Sequence, residues 1–309
     1  MTSRDSFLGG LCGVIIGLSV WPGWTASATV HENWSVPPLA HPITVDGKLE
    51  DWAAAGRGAA WTLPLTDSDW QLGAEESGVA ARQEEERWLR IWMGHRDGRL
   101  YMVAQWPDKT QNALYRPWKL SQGQYVRANT VDDMFVVRFQ LGDSFNRCML
   151  TNSPYRTDVW RWSAGRSNLA GIADDMSHAF SDRPFDQPAR EYEGNTGLVY
   201  FLNRLDEGYP GWQSVPQPAP GTDAVVPGIA KAGQPTGSRA DVAAAGVWEN
   251  GVWTLEMARA FATGDPGDVV FVAEGEQVAQ FAVFYAGYRL RKFVTAPVLL
   301  KFSSKQGGE

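Results

Sequence analysis

The stretch Arg147-Cys148-Met149-Leu150-Thr151-Asn152-Ser153-Pro154-Tyr155-Arg156-Thr157-Asp158-Val159-Trp160-Arg161-Trp162 concentrates unusual chemistry in sixteen positions. A thioether, a thiol and two indoles crowd a segment that also carries turn residues. The thioether of Met149 is a soft, neutral donor of the kind that suits a transition metal, although most methionines simply fill gaps in a core. Trp160 and Trp162 stand at i and i+2, so they share one side of an extended chain. They read either as core filling or as the wall of a slot for a flat ligand. Cys148 reads as a small buried hydrophobe rather than a thiolate ligand. His178 is the best substitute donor and otherwise a loop histidine. Lys292, close to Arg289 and Arg291, reads by itself as a solvated basic edge guarding a closing strand.

Several chemistries are excluded by counting. The chain has 309 residues, two cysteines and four histidines. Cys12 falls in a leader-like segment, so the remaining chain holds Cys148 and no intrachain disulfide is possible there. No Cys-x-x-Cys-His occurs, which excludes the usual covalent haem attachment, and thiolate-held iron–sulfur clusters and ordinary zinc spacings are excluded as well. No Gly-x-Ser-x-Gly or Ser-His-Asp arrangement stands out. A net charge of -7 gives no support to nucleic-acid binding. The run Glu84-Glu85-Glu86 reads as a solvated face, and Asp132-Asp133 as strand-entry residues.

The frame that must position these groups reads as all-β. Residues 1–28 resemble an export signal: Arg4, an apolar run from Phe7 to Val20, then Ala26-Ser27-Ala28. This predicts an exported, periplasmic protein starting near Thr29, with no membrane span after signal cleavage. Ile43 to Trp52 reads as a strand, an Asp-Gly turn and a strand or helical turn. Arg87 to Met93 and Leu100 to Trp106 form the clearest hairpin, turning at His95-Arg96-Asp97-Gly98. Asp133 to Leu141 is a further strand, and Val247 to Met257 is a hairpin with Asn250-Gly251 at its tip. Val278 to Tyr285 and Phe293 to Phe302 read as closing strands. Helical periodicity is scarce, so the expected fold is an antiparallel β-sandwich over residues 29–309. Residues 181–239, rich in Gly, Pro, Asp and Gln, read as a loop-rich insertion docked by the apolar island Leu198 to Leu202. Fifteen tryptophans supply an interior unusually rich in large flat side chains.

Four blocks together resemble the haem-binding subunit family of ethylbenzene dehydrogenase and related periplasmic molybdenum enzymes of the dimethyl-sulfoxide-reductase type. These are "ITVDGKLEDW" (43–52), "LYMVAQWPDKTQN" (100–112), the Cys148–Trp162 segment and "GYRLRKFVT" (287–295). The opening block also resembles family-nine carbohydrate-binding modules, which leaves a sugar-binding sandwich without a redox role as the alternative. The family resemblance implies a β-sandwich holding one non-covalent b-type haem (iron protoporphyrin IX) between methionine and lysine. Carried over by position, it nominates Met149 and Lys292 as iron ligands. Trp160 and Trp162, by their i, i+2 spacing, would then flank the macrocycle, and Arg147, Arg161, Arg289 and Arg291, near the ligands in sequence, would pair with its propionates. It further implies electron transfer rather than catalysis, with molybdopterin and iron–sulfur subunits, or a soluble cytochrome c, as partners. The sequence departs from the pattern at Ser163, where a lysine commonly follows the second tryptophan, and in the long 181–239 region.

Overall fold

The computed structural model describes residues 33–55, 60–67, 87–149, 151, 153–286 and 291–304. The leader-like segment, the acidic run at 84–86 and Arg289 lie outside these residues. The regular structure among the described residues is almost all strand, with one short helix, Glu50–Ala54, and two turns of 3-10 helix.

Two sheets face each other. One runs through Val298–Phe302, Glu276–Tyr285, Met134–Leu141, Tyr155–Ser163 and Ile172–Ser181. The other runs through Val242–Glu249, Val252–Ala260, Arg99–Pro107 and Trp88–Arg96. Ile172–Ser181 joins them: its first residues pair with Val242–Glu249, while the rest pairs with Tyr155–Ser163. The sheet thus turns a corner along one strand.

Period-two alternation decides what each face buries. Phe135, Val137 and Phe139 point inward, as do Trp160 and Trp162 on the neighbouring strand. Opposite them stand Trp106, Leu255 and Trp253. Trp162 meets Trp253 edge-on with ring centres 5.1 Å apart, and Trp106 stacks on Phe135 at 5.6 Å. Trp34, Trp106, Trp160, Trp162 and Trp253 thus fill the space between the sheets, where burying one large side chain stabilises by about 1.5–3 kcal/mol.

Both expected hairpins form. Asp97 and Gly98 take positive φ, as do Asn250 and Gly251, which is the conformation a two-residue turn needs to match strand twist. The first hairpin is tighter than expected, because His95 and Arg96 remain in the strand. The expected single strand from Phe293 to Phe302 is two strands, Arg291–Val294 and Val298–Phe302. The break falls at Thr295-Ala296-Pro297, where Pro297 has no N–H to give a ladder.

The opening block forms a turn and then the short helix, the helical turn being one of the two readings of the sequence, without the expected strand at 43–45. Glu256 explains why. One of its carboxylate oxygens accepts the N–H groups of Asp46 and Gly47 at 2.7 and 2.6 Å, and the other accepts Trp52 Nε1 at 2.5 Å. Gly47 has φ +84°, and a Cβ there would sit 2.6 Å from Val247. A buried acceptor on the sheet thus sets the path of "VDGKLEDW".

The insertion carries more structure than a loop. Gly197–Leu205, which contains the apolar island, pairs with Ile172–Ser181, and Arg190–Gly194 pairs with it in turn. These two strands prolong the first sheet past its corner. No helix among the described residues is long and apolar enough to cross a membrane.

Candidate functional site

The outer face of the first sheet carries the donors that the sequence nominates. Lys292 lies opposite Phe284 in the register of Arg291–Val294 with Glu276–Tyr285. Its amine sits 5.6 Å from the centre of the Phe284 ring. Met149 comes from the loop between Met134–Leu141 and Tyr155–Ser163, and Lys292 Nζ approaches its sulfur at 3.3 Å. Both side chains are half-buried.

One buried guanidinium holds that loop. Arg138, in the middle of an apolar strand, faces outward and donates to the carbonyls of Asn146 and Arg147 at 2.7 and 2.8 Å. It also donates to Gln280 Oε1 and to the Tyr155 hydroxyl. Its hydrogen-bond partners are all neutral, so its charge is not cancelled by a carboxylate. Tyr192, from the insertion, donates to the carbonyl of Met149 itself. Two elements distant in sequence therefore fix the residue that bears the sulfur.

The ledge beside the sulfur is aromatic. Tyr155 stacks on Phe180 at 4.4 Å and Phe180 on Phe201 at 4.8 Å, and Met149 and Tyr192 pack against this group. Burial raises the hydroxyl of Tyr155 above its usual range and pushes Tyr192 up to about 12. Phe201 also lines an open cleft of about 470 Å3, together with Arg161, Met176, Arg190 and Leu205.

His178 stands on the same face, in the middle of a strand rather than in a loop. Its Nδ1 is buried without a hydrogen-bond partner, and so is Oγ1 of Thr157, directly across the ladder. Burial, then the charges of Arg138, Arg161 and Lys292, hold His178 down at about 3, so the ring is neutral. Arg161 faces the same side but is tied to Asp174 at 3.1 Å.

The remaining nominated residues stand elsewhere. Trp160 and Trp162 are fully buried between the sheets, on the face opposite Met149 and Lys292. The i, i+2 spacing places the two indoles together, and the inward register turns both away from the sulfur–amine pair. The aromatic wall on that side is Tyr155, Phe180, Phe201 and Phe284 instead. Arg291 is exposed, with its guanidinium 5.1 Å from the Phe293 ring centre. Arg147 is exposed and offers its carbonyl to Arg138. Cys148 is half-buried, and Asn195 Nδ2 lies 4.0 Å from its sulfur. Asp132 and Asp133 stand at the entry to the strand Met134–Leu141, as expected, and are wholly buried. Asp132 pairs with Arg166 at 2.9 Å. Asp133 accepts from Asn112, Trp253 and Ala286, and burial pushes it up to about 7. Sequence reasoning passed over Arg138, whose only signal was a lone charge inside "FVVRFQ".

Fold and site together define a β-sandwich whose outer sheet face presents a thioether, an amine and a neutral imidazole on an aromatic ledge of positive charge. The chain belongs to the ethylbenzene dehydrogenase family, whose model matches residues 71–289 and so includes Met149 but ends just before Lys292. No curated protein sequence matches the chain. Among solved structures it is similar to a putative carbohydrate-binding protein from Bacteroides uniformis, at 8% identity and a TM-score of 0.40, covering 88% of this chain and 99% of that one. It is also similar to a family-nine carbohydrate-binding module from Caldicellulosiruptor kristjanssonii in complex with glucose. That match has 10% identity and a TM-score of 0.39, covering 90% and 99%.

Proposed function

We propose that the chain is an exported electron-transfer protein that binds one non-covalent haem b, with Met149 and Lys292 as the iron ligands. The observation that carries the reading is the approach of Lys292 Nζ to Met149 Sδ at 3.3 Å, on one face of one sheet. The donor set suits the group: a soft thioether and an amine are both neutral ligands for haem iron once the lysine has lost its proton. The surroundings suit it too. The ledge of Tyr155, Phe180 and Phe201 offers flat apolar contact. Arg138 offers an uncancelled charge for a propionate, and the orphaned Nδ1 of His178 a further polar contact.

When bound, haem supplies a one-electron iron couple. The protein's part is to bind and tune. Met149 favours the reduced state and so raises the potential, while Lys292 ligates only as the uncharged amine, its proton having passed to solvent. Ligation would replace the direct contact between the two side chains by two bonds to one metal. Met149 and Lys292 would together hold the iron through two protein ligands, an arrangement suited to electron relay rather than to catalysis at the metal. The partners are then the molybdopterin and iron–sulfur subunits of an oxidoreductase complex, or a soluble cytochrome c, and the compartment is the periplasm.

The sugar-binding alternative needs exposed indole faces. Every described tryptophan is at least partly buried, and Trp52 of the shared opening block is fully buried on Glu256.

The test is the absorption spectrum of the full chain purified from haem-supplied cells. A Soret band is expected, which Lys292→Ala should lose, and Met149→Ala should lose it or shift the spectrum and the potential. A colourless preparation that does not take up haem, or two variants indistinguishable from the parent, would sink the reading.

A further inference from the structure

Away from the sulfur–amine pair, five aspartates converge beneath the end of the insertion. Arg259, wholly buried, lies 2.8 Å from Asp158, 3.1 Å from Asp175 and 3.5 Å from Asp268. This guanidinium answers the group Asp158, Asp175 and Asp268. Asp268 belongs to a second group as well, with Asp206 and Asp265, whose carboxylate oxygens all lie within 4.8 Å of one another. Neither Asp206 nor Asp265 has an ion pair with a cationic side chain among the described residues.

The second group is assembled from two distant pieces. Asp206 follows the strand Gly197–Leu205 at the end of the insertion's first pair, and its N–H donates to the carbonyl of Asp175. Asp265 and Asp268 sit in the turn Thr263-Gly264-Asp265-Pro266-Gly267-Asp268. There Gly267 N–H donates to Asp265 Oδ1 at 2.7 Å, and Asp265 N–H donates to Thr263 Oγ1 at 3.2 Å. Asp206 is only 7% exposed, and its Oδ2 is buried with no hydrogen-bond partner. An orphaned carboxylate oxygen beside two further carboxylates costs stability unless a cation meets it.

We propose that Asp206, Asp265 and Asp268 form a calcium site that clasps the 181–239 insertion to the turn at 263–268. The donors are all hard oxygens, with no imidazole or thiolate, which selects calcium or magnesium over zinc or copper. Three carboxylates, two of them on an irregular turn, suit the larger, geometrically tolerant ion better than the strict octahedron of magnesium. The electrostatics agree: burial and the neighbouring Asp268, Asp265 and Asp158 push Asp206 up to about 7, and a divalent charge would relieve that repulsion.

The experiment uses the purified full chain after chelator treatment, titrated with calcium chloride by calorimetry and by thermal unfolding, with magnesium chloride at equal concentration as the screening control. One calcium per chain is expected, with the unfolding midpoint rising by roughly 5 °C at about a hundredfold excess over Kd. Magnesium should give a clearly smaller shift. Asp265→Asn, at a half-buried position away from Arg259, should fold with a calcium-free midpoint no lower than the parent's and weaken calcium binding at least about tenfold. Asp206→Asn should raise the calcium-free midpoint, because it removes one repelling charge, and abolish the calcium response. The proposal fails if calcium leaves the midpoint of the parent unchanged, if magnesium matches it, or if both variants bind calcium as the parent does. It fails equally if Asp206→Asn lowers the calcium-free midpoint while calcium has no effect, since the acids then share protons rather than a metal.

Discussion

Lys292 places its amine 3.3 Å from the sulfur of Met149 across 143 residues of sequence. An amine and an arginine differ here in one decisive respect: lysine can give up its proton and arginine cannot. If the lysine is an iron ligand, Lys292→Arg should lose haem as completely as Lys292→Ala, measured as Soret absorbance retained after gel filtration. Retention by Lys292→Arg alone would mean that the position supplies charge and not a lone pair.

Arg138 should matter to stability and to the site together. Removing its guanidinium as Arg138→Met leaves the carbonyls of Asn146 and Arg147 and the amide of Gln280 without their donor. A loss of about 2–4 kcal/mol is expected in urea unfolding. Arg138→Lys should not restore it, because one ammonium cannot span acceptors on two strands and a loop. An Arg138→Lys variant as stable as the parent would show that only the charge counts.

Glu256 accepts three hydrogen bonds with two oxygens. Glu256→Gln keeps one oxygen and turns the other into a donor facing donors. The expected cost is about 1–3 kcal/mol, with the opening block detaching. Hydrogen exchange at Asp46 and Gly47 reads this directly: their protection should fall in the variant while that of Val137 is unchanged.

His178 gives a pH signature with a definite sign. Its folded value, about 3, lies below the ordinary 6.5, so between these limits the unfolded chain binds the extra proton. The stability it contributes is present above about pH 6.5 and is lost as pH falls through that window. His178→Gln should flatten the slope of unfolding free energy between pH 6 and 4 by about 1.4 kcal/mol per pH unit at most. An imidazole that titrates near 6.5 by NMR would contradict this.

Gly246 marks how tightly the sheets close. A Cβ there would lie 2.3 Å from the Trp162 ring, which is itself locked against Trp106 and Trp253. Gly246→Ala should cost about 1–3 kcal/mol by overpacking, and Trp162→Phe in the same chain should recover part of it. Additive losses in the double variant would mean that the two positions do not compete for space.

Much of the architecture is legible in local pattern. Asp97-Gly98 and Asn250-Gly251 announce their turns because few other residue pairs tolerate positive φ twice, and period-two alternation marks the strands they join. The break at Pro297 was present in the sequence but hidden by the apolar residues on both sides. The insertion was harder to read. Its composition is that of loops, yet Leu198 to Leu202 finds a free edge on Ile172–Ser181, and edge pairing is a long-range event that composition does not report.

The sequence by itself determined that the chain would be a β-sandwich with an aromatic interior and a soft sulfur flanked by polar turn residues. Only the tertiary structure decided which face each of these groups looks onto. Trp160 and Trp162 were a pair from their spacing alone, but their strand's register turned them inward, away from Met149. Met149 and Lys292 met because a loop and a short strand, 143 residues apart, are pinned to one sheet by the buried charge of Arg138 and by the Glu276–Tyr285 ladder. Alternation is a local property of the backbone, whereas the closeness of two distant segments depends on how every strand between them is ordered.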